Sequence, residues 1–251
     1  MTRVAGFQQL RTPCCGKVYI QPNYRSMNFM ASEHWTDGWR EASLMPNDTG
    51  LRRCQCGQFL LMQDTQYLGV VDSDEGLTLL SRPEMHELEL CIKASQKPAV
   101  EIAARTGLWR HYNHAYRATY RQHREVEEQI TRQAWEAAHP DQRTWWDKLR
   151  RKAAPQYQRP RSALFTTPPF MPTHQQLQNM QQLCALLEKE VSEHPSLQAI
   201  QLAELYRQQS LWQQAQDWLD KVSSEERQHQ PFGLIQQMLQ TKTAAPIRYQ
   251  A

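Results

Sequence analysis

Hydrophobic and polar positions change rhythm about a third of the way along the chain. Up to residue 80 the apolar runs are short: Val18-Tyr19-Ile20, Phe59-Leu60-Leu61-Met62, Tyr67-Leu68-Gly69-Val70-Val71 and Leu77-Thr78-Leu79-Leu80. Runs of this length, bounded by turn-forming residues, predict strands. The last two flank Asp72-Ser73-Asp74-Glu75-Gly76, which reads as a hairpin connection closing on glycine. Beyond residue 80 the apolar spacing lengthens to three and four. Ser81-Arg82-Pro83-Glu84 has the form of a capping box and predicts a helix with Met85, Leu88, Cys91 and Ile92 on one side. Pro98 can start another turn, which Gly107 interrupts. A long helix is then predicted from about Leu108 to Ala138, with Trp109, Tyr112, Tyr116, Tyr120, His123, Val126, Ile130, Ala134 and Ala137 in one stripe. His139-Pro140 ends it.

Prolines at 155, 160, 168, 169 and 172 predict an extended linker over residues 155–172. Helical spacing resumes with Leu177, Met180, Leu183, Cys184 and Leu187, and a last helix is predicted over about Phe232 to Leu239. Between them, Ala199-x-x-Leu202-Ala203-x-x-Tyr206 is followed by Ala215-x-x-x-Leu219-x-x-Val222. This register resembles one tetratricopeptide repeat, with Trp212 in the connecting turn and Arg227 where the repeat's later proline belongs. The resemblance covers about 30 residues and implies a protein-binding helical hairpin, with Tyr206, Trp212 and Trp218 as candidate partner-binding residues. One repeat cannot bury both its faces, so the flanking helices are expected to cover it. The tail Pro246-Ile247-Arg248-Tyr249 is apolar enough to dock on the protein.

Two short cysteine pairs stand apart from this pattern: Cys14-Cys15-Gly16 and Cys54-Gln55-Cys56-Gly57, each followed by a predicted strand. A tight reversal ending in glycine turns two thiolates inward, and two such turns supply four sulfurs to one tetrahedral ion. The first ~65 residues therefore resemble a zinc ribbon with rubredoxin-like knuckles of the form CPxCG. Thr12 stands where the first knuckle's first cysteine belongs, and the second knuckle is one residue short. The resemblance implies zinc on Cys14, Cys15, Cys54 and Cys56, with His34 or Asp37 as substitutes for a sulfur. Free buried thiols or a redox pair are the alternative. The aromatic and polar stretch from Ser26 to Arg40, between the knuckles, is a candidate binding loop or a segment packed on the ribbon.

These patterns divide the chain into a ribbon-like β part (1–80), a central helical segment (81–154), the linker (155–172) and a helical C-terminal unit (173–251). The fold class is α+β. The 251 residues carry a net charge of +3, unevenly placed. Residues 1–92 hold 8 Lys/Arg against 11 Asp/Glu, residues 93–161 hold 15 against 7, and residues 162–251 hold 6 against 8. The basic middle can bind the protein's own acidic flanks or an acidic partner. For nucleic acid, Arg110, Arg117, Arg121, Lys148, Arg150, Arg151 and Lys152 would meet phosphates, with Tyr and Trp rings stacking on bases.

No apolar run is long enough for a membrane span, no secretory leader is visible, and the cysteines suit a reducing cytoplasm, with Cys91 and Cys184 as core residues. No phosphate-binding loop, dinucleotide glycine pattern, nucleophile elbow or His-Glu-x-x-His is present. The expected function is a cytoplasmic, non-enzymatic adaptor or assembly subunit of bacterial style, binding protein partners and zinc but no small-molecule substrate. A nucleic-acid-binding protein is the alternative.

Overall fold

The computed structural model describes residues 3–26, 33–42, 48–141, 143–150, 153, 155–158, 167–228 and 231–249. Small antiparallel sheets lie at the N-terminal end and helices follow, an α+β arrangement. The chain forms two compact units: residues 1–113 with 171–251, and residues 114–170.

The first unit opens with β1 (Arg3–Arg11) and β2 (Val18–Ser26), a hairpin paired from Arg11↔Val18 outward. Two short strands follow, β3 (Glu33–Trp35) and β4 (Arg40–Glu41). A second hairpin is made by β5 (Leu51–Arg53) and β6 (Phe59–Leu61). The next strand, β7 (Gln66–Val71), pairs antiparallel with β1, giving a sheet of order β2-β1-β7. The predicted hairpin between β7 and residues 77–80 does not form. Leu80 instead drops into a cluster with Tyr19, Cys54 and Leu60, and Leu79 bridges Ile20 in parallel. Burying Leu80 favours the edge of β2 over the sequence-adjacent strand.

Helix α1 (Met85–Ala94) begins three residues later than the sequence signal. Ser81 is occupied by a bridge to Arg53, donating from its hydroxyl to the Arg53 carbonyl (3.2 Å). The cap is Glu84, whose N–H donates to the Glu87 carboxylate (2.8 Å). Helix α2 (Pro98–Ala138) runs unbroken for 41 residues. Gly107 does not interrupt it, because α1 packs there: a Cβ on Gly107 would lie 3.2 Å from Leu88 Cδ1. Leu51 and Leu61 from the second hairpin, Leu88 and Cys91 from α1, and Val100, Ala104 and Leu108 from α2 form one core.

The remaining helices are α3 (Trp145–Leu149), α4 (His174–Leu187), α5 (Pro195–Gln208), α6 (Trp212–Leu219) and α7 (Phe232–Gln240). Thr173 caps α4 in a reciprocal box with Gln176. Trp109 joins Met180, Leu183, Cys184, Leu202 and Leu205 in one cluster, and Ala203, Ala215, Leu219, Ile235 and Leu239 form another. Ala203 and Ala215 are fully buried, which lets α5 and α6 approach closely.

The tail docks as β8 (Arg248–Tyr249), pairing with β3. A buried polar network holds this junction. Glu204 and Arg207 form an ion pair with neither side chain exposed, and Arg207 donates to the carbonyls of Thr243 and Ala245. Thr36 donates to Glu204 (2.6 Å) and accepts from the Ile247 N–H (3.0 Å). Gln208 donates to Glu204 and accepts from Trp109, and Asn113 links Gln208 to Asp37. Buried ions persist when each is paired and hydrogen-bonded, as both are here.

The second unit holds the rest of α2 together with α3. Here Tyr116 and Tyr120 are buried, Tyr116 donates to the Pro168 carbonyl (3.3 Å) and packs edge-on against Phe170, while Val126 and Ile130 are exposed. The predicted stripe is thus core in its first part and solvent-facing in its second. No helix among the described residues is long and apolar enough to cross a membrane.

Candidate metal centre

The two cysteine turns close in a similar way, the first with one residue more than the second. In the first, which joins β1 to β2, Thr12 N–H donates to the Lys17 carbonyl (3.0 Å) and Gly16 N–H to the Thr12 carbonyl (3.0 Å). In the second, which joins β5 to β6, Cys54 N–H donates to the Gln58 carbonyl (2.8 Å) and Gly57 N–H to the Cys54 carbonyl (2.9 Å). Gly16 and Gly57 are left-handed, with φ of 72° and 90°, a conformation glycine adopts without steric cost. The similar closure makes Thr12 the counterpart of Cys54 and Cys15 the counterpart of Cys56. Cys14 is the additional sulfur.

The sulfurs of Cys14, Cys15, Cys54 and Cys56 all lie within 4.8 Å of one another. Cys15 and Cys54 are 3.5 Å apart, as are Cys14 and Cys56. Four sulfurs each about 2.3 Å from a tetrahedral zinc would be about 3.8 Å apart, so the cluster fits a metal ion of that kind. Four close thiolates repel one another unless a cation sits among them, and soft sulfur donors favour zinc over magnesium or calcium. The described residues form no other such group.

Cys54 is buried, whereas Cys14, Cys15 and Cys56 are exposed. The Tyr19 hydroxyl accepts from the Gln55 N–H (2.9 Å), which leaves its own proton free for the Cys54 sulfur at 3.2 Å. The Thr12 hydroxyl donates to the Lys17 carbonyl (3.2 Å) and lies 3.6 Å from the Cys15 sulfur and 3.8 Å from that of Cys54. Burial alone would raise the Cys54 thiol, but hydrogen bonds from Tyr19, from Cys56 and from Cys15 prevail and bring it down to about 6. Cys14 is pushed up to about 12 by desolvation and by the thiols of Cys56 and Cys54. Tyr19 rises to about 12 through burial and its bond to Cys54. The site therefore has a buried thiolate anchor on one side and solvent-facing thiols on the other.

Other candidate residues fall elsewhere. His34 lies against the Tyr249 ring, and Asp37 accepts from Asn113, so neither stands in for a sulfur. Glu33, Trp35, Thr36 and Asp37 are buried, so this part of the stretch between the knuckles is packed in, while Ser26, Gly38 and Arg40 are exposed; residues 27–32 of it lie outside the described residues. Tyr206 packs between the two helical clusters and donates to Glu188 (2.6 Å). Trp218 is half-buried against both clusters and Trp212 against the one holding Ala203 and Ala215, and the Lys221 ammonium sits 3.3 Å from the centre of the Trp218 ring. Among the basic residues, Arg117 is fully buried and Arg110 donates to the Asp37 carbonyl (3.1 Å). Arg121 is half-buried and Arg150 exposed. Arg151, Lys152 and the Lys148 side chain lie outside the described residues.

Sequence reasoning missed Tyr19. Nothing local separates its strand position from that of any buried tyrosine. Thr12 was detectable, as the residue at a vacant cysteine position. Comparison with family models, with curated proteins and with solved structures finds no match for this chain.

Proposed function

We propose that this protein is a non-enzymatic adaptor or assembly subunit of the cytoplasm, whose N-terminal part is held by one structural zinc ion on Cys14, Cys15, Cys54 and Cys56. The observation that carries the metal reading is the convergence of four sulfurs from two turns of like backbone plan. All four donors are thiols, the set typical of a closed structural zinc site with no open position for chemistry. The zinc would fasten the β1–β2 hairpin to the β5–β6 hairpin, supplying folding free energy where few apolar side chains are buried. The α5–α6 hairpin, with its tetratricopeptide-like register and small residues at the contact, supports protein binding as the role of the whole.

Two measurements test this reading. Metal analysis of the purified chain is expected to find about one zinc per chain, as a single closed site requires. An affinity pull-down of the tagged full chain, expressed at native level, is expected to return a defined protein partner. Recovery of the chain alone would remove the adaptor role while leaving the zinc site intact.

A further inference from the structure

The sheet β2-β1-β7 has two edges, and they are finished differently. The inner half of β2's outer side is covered: Ile20 N–H donates to the Thr78 carbonyl (3.1 Å) and Leu80 N–H to that of Ile20 (3.3 Å). Its outer half carries Pro22, which has no N–H to offer, and the exposed Arg25. Proline and exposed charge are devices by which natural sheets close an edge to strand addition.

The edge formed by β7 has neither device. Gln66-Tyr67-Leu68-Gly69-Val70-Val71 contains no proline and no charge, and it pairs with β1 alone among the described residues. Tyr67 is 59% exposed and Val70 45%, with Leu68 beside them. Beyond Leu10, Tyr19 and Ile20, no residue of this sheet is buried, so the rest of it is at least partly open to solvent. One irregularity, at the register shift between Gln9 and Leu10, leaves Leu68 as an extra residue on β7. A bulge of this kind interrupts long flat pairing, so a segment added here is limited to a short one.

Charge selects the occupant. Asp64 precedes β7, and Asp72, Asp74 and Glu75 follow it. None of the four forms an ion pair among the described residues; Glu75 accepts from Gln9 and Asp74 from the Gly76 N–H. Two copies of β7 paired antiparallel would set Asp64 of one beside the acidic run of the other, and parallel pairing would set like beside like. Both arrangements oppose self-association. We infer that the β7 edge receives an extended segment of a partner protein as an added strand, with an apolar, β-branched or aromatic centre and Lys or Arg at each end. Main-chain hydrogen bonds would hold the segment, while Tyr67 and Val70 and the acidic ends would choose it. This inference rests on the adaptor reading and names its surface.

The test is selection of a displayed library of random nine-residue peptides on the immobilised full chain. Enriched peptides are expected to carry cations flanking a β-branched or aromatic centre. Their binding should fall at least tenfold for Asp72→Lys/Asp74→Lys and for Val70→Lys, with Tyr67→Lys as a further exposed variant should either misfold. Amide hydrogen exchange on addition of a selected peptide should slow within residues 66–71. Absence of enrichment, peptides without charge bias, equal binding to the variants, or a dimer abolished by Val70→Lys would each overturn the proposal. A pull-down partner retained undiminished by these variants would also overturn it, while leaving the adaptor reading in place.

Discussion

The turn at Thr12–Lys17 and the turn at Cys54–Gln58 each close with two backbone hydrogen bonds and a left-handed glycine, the first with one residue more, yet they are carried very differently. The second sits on a hairpin whose Leu51 and Leu61 enter the core of α1 and α2, and whose Arg53 pairs with Glu87. The first belongs to a sheet in which only Leu10, Tyr19 and Ile20 are buried. One turn is therefore placed by the larger core, and the other rests on the small cluster of Tyr19 with Cys54, Leu60 and Leu80. A metal between them would transmit the rigidity of the core to the β1–β2 hairpin. Small β units that bury little apolar surface commonly depend on such a staple.

The largest effect should come from Cys54→Ser, or from stripping the metal with a chelator. Cys54 is the buried member of the cluster, and its loss would remove a proposed ligand, two hydroxyl contacts and part of the packing with Leu60 and Leu80. Destabilisation on the order of 4 kcal/mol or more is expected, the range reached when a protein loses a structural metal. Hydrogen exchange should accelerate throughout β1 and β2 while the α4–α7 helices stay protected. Unchanged melting of the metal-free protein would end the staple argument.

Next in size is Cys14→Ser, which removes the additional sulfur of the weaker turn. Because Thr12 occupies the place that Cys54 holds in the other turn, Thr12→Cys should rescue this loss. The double variant Thr12→Cys/Cys14→Ser is expected to bind one zinc with stability within about 1 kcal/mol of the parent, since it restores the four-sulfur set that structural sites use. Zinc titration in competition with a chromophoric chelator measures both variants. If the double variant binds no better than Cys14→Ser alone, the correspondence between the two turns is wrong.

A third test compares the glycines. No atom lies within 4 Å of a Cβ built on either Gly16 or Gly57, so substitution meets only backbone strain. Gly16→Ala and Gly57→Ala should each cost about 1–2 kcal/mol, the penalty of a left-handed conformation for an L-residue. Near-equal losses in chemical denaturation are expected, because both glycines are left-handed and open to solvent at Cβ. A several-fold difference would show that their surroundings decide the strain.

What was legible in the sequence is what short-range chemistry determines. The turns could be read because a Cys-Gly step closes a knuckle locally, and α4 because Leu177, Met180, Leu183, Cys184 and Leu187 recur at helical spacing. What escaped depends on distant partners. The pairing of β7 with β1 rather than with residues 77–80 follows from where Leu80 is buried, which no local window contains. Gly107 looks like an interruption until Leu88 is known to press on it. Glu204 and Arg207 resemble an ordinary surface pair at helical spacing, and only the docked tail shows them to be enclosed. The full burial of Arg117 was hidden for the same reason, because burial cannot be read from charge pattern.

The smallest predicted effect concerns Tyr19, which follows the first turn on β2 and reaches across to the Cys54 sulfur of the second. Its ring packs with Leu60 and Leu80, and its hydroxyl accepts from Gln55 N–H while facing the Cys54 sulfur. Tyr19→Phe keeps the ring and removes only the hydroxyl. The loss should be about 1 kcal/mol in stability, the net worth of a typical buried hydrogen bond. Zinc affinity should fall by about 10-fold, the lower end of what residues bonded to a ligand contribute. The second readout separates the two roles, because a tyrosine that merely fills space would leave zinc affinity untouched when replaced by phenylalanine. If affinity is unchanged, the buried side of the cluster is only packing, and the two turns differ in their support but not in how they hold the ion.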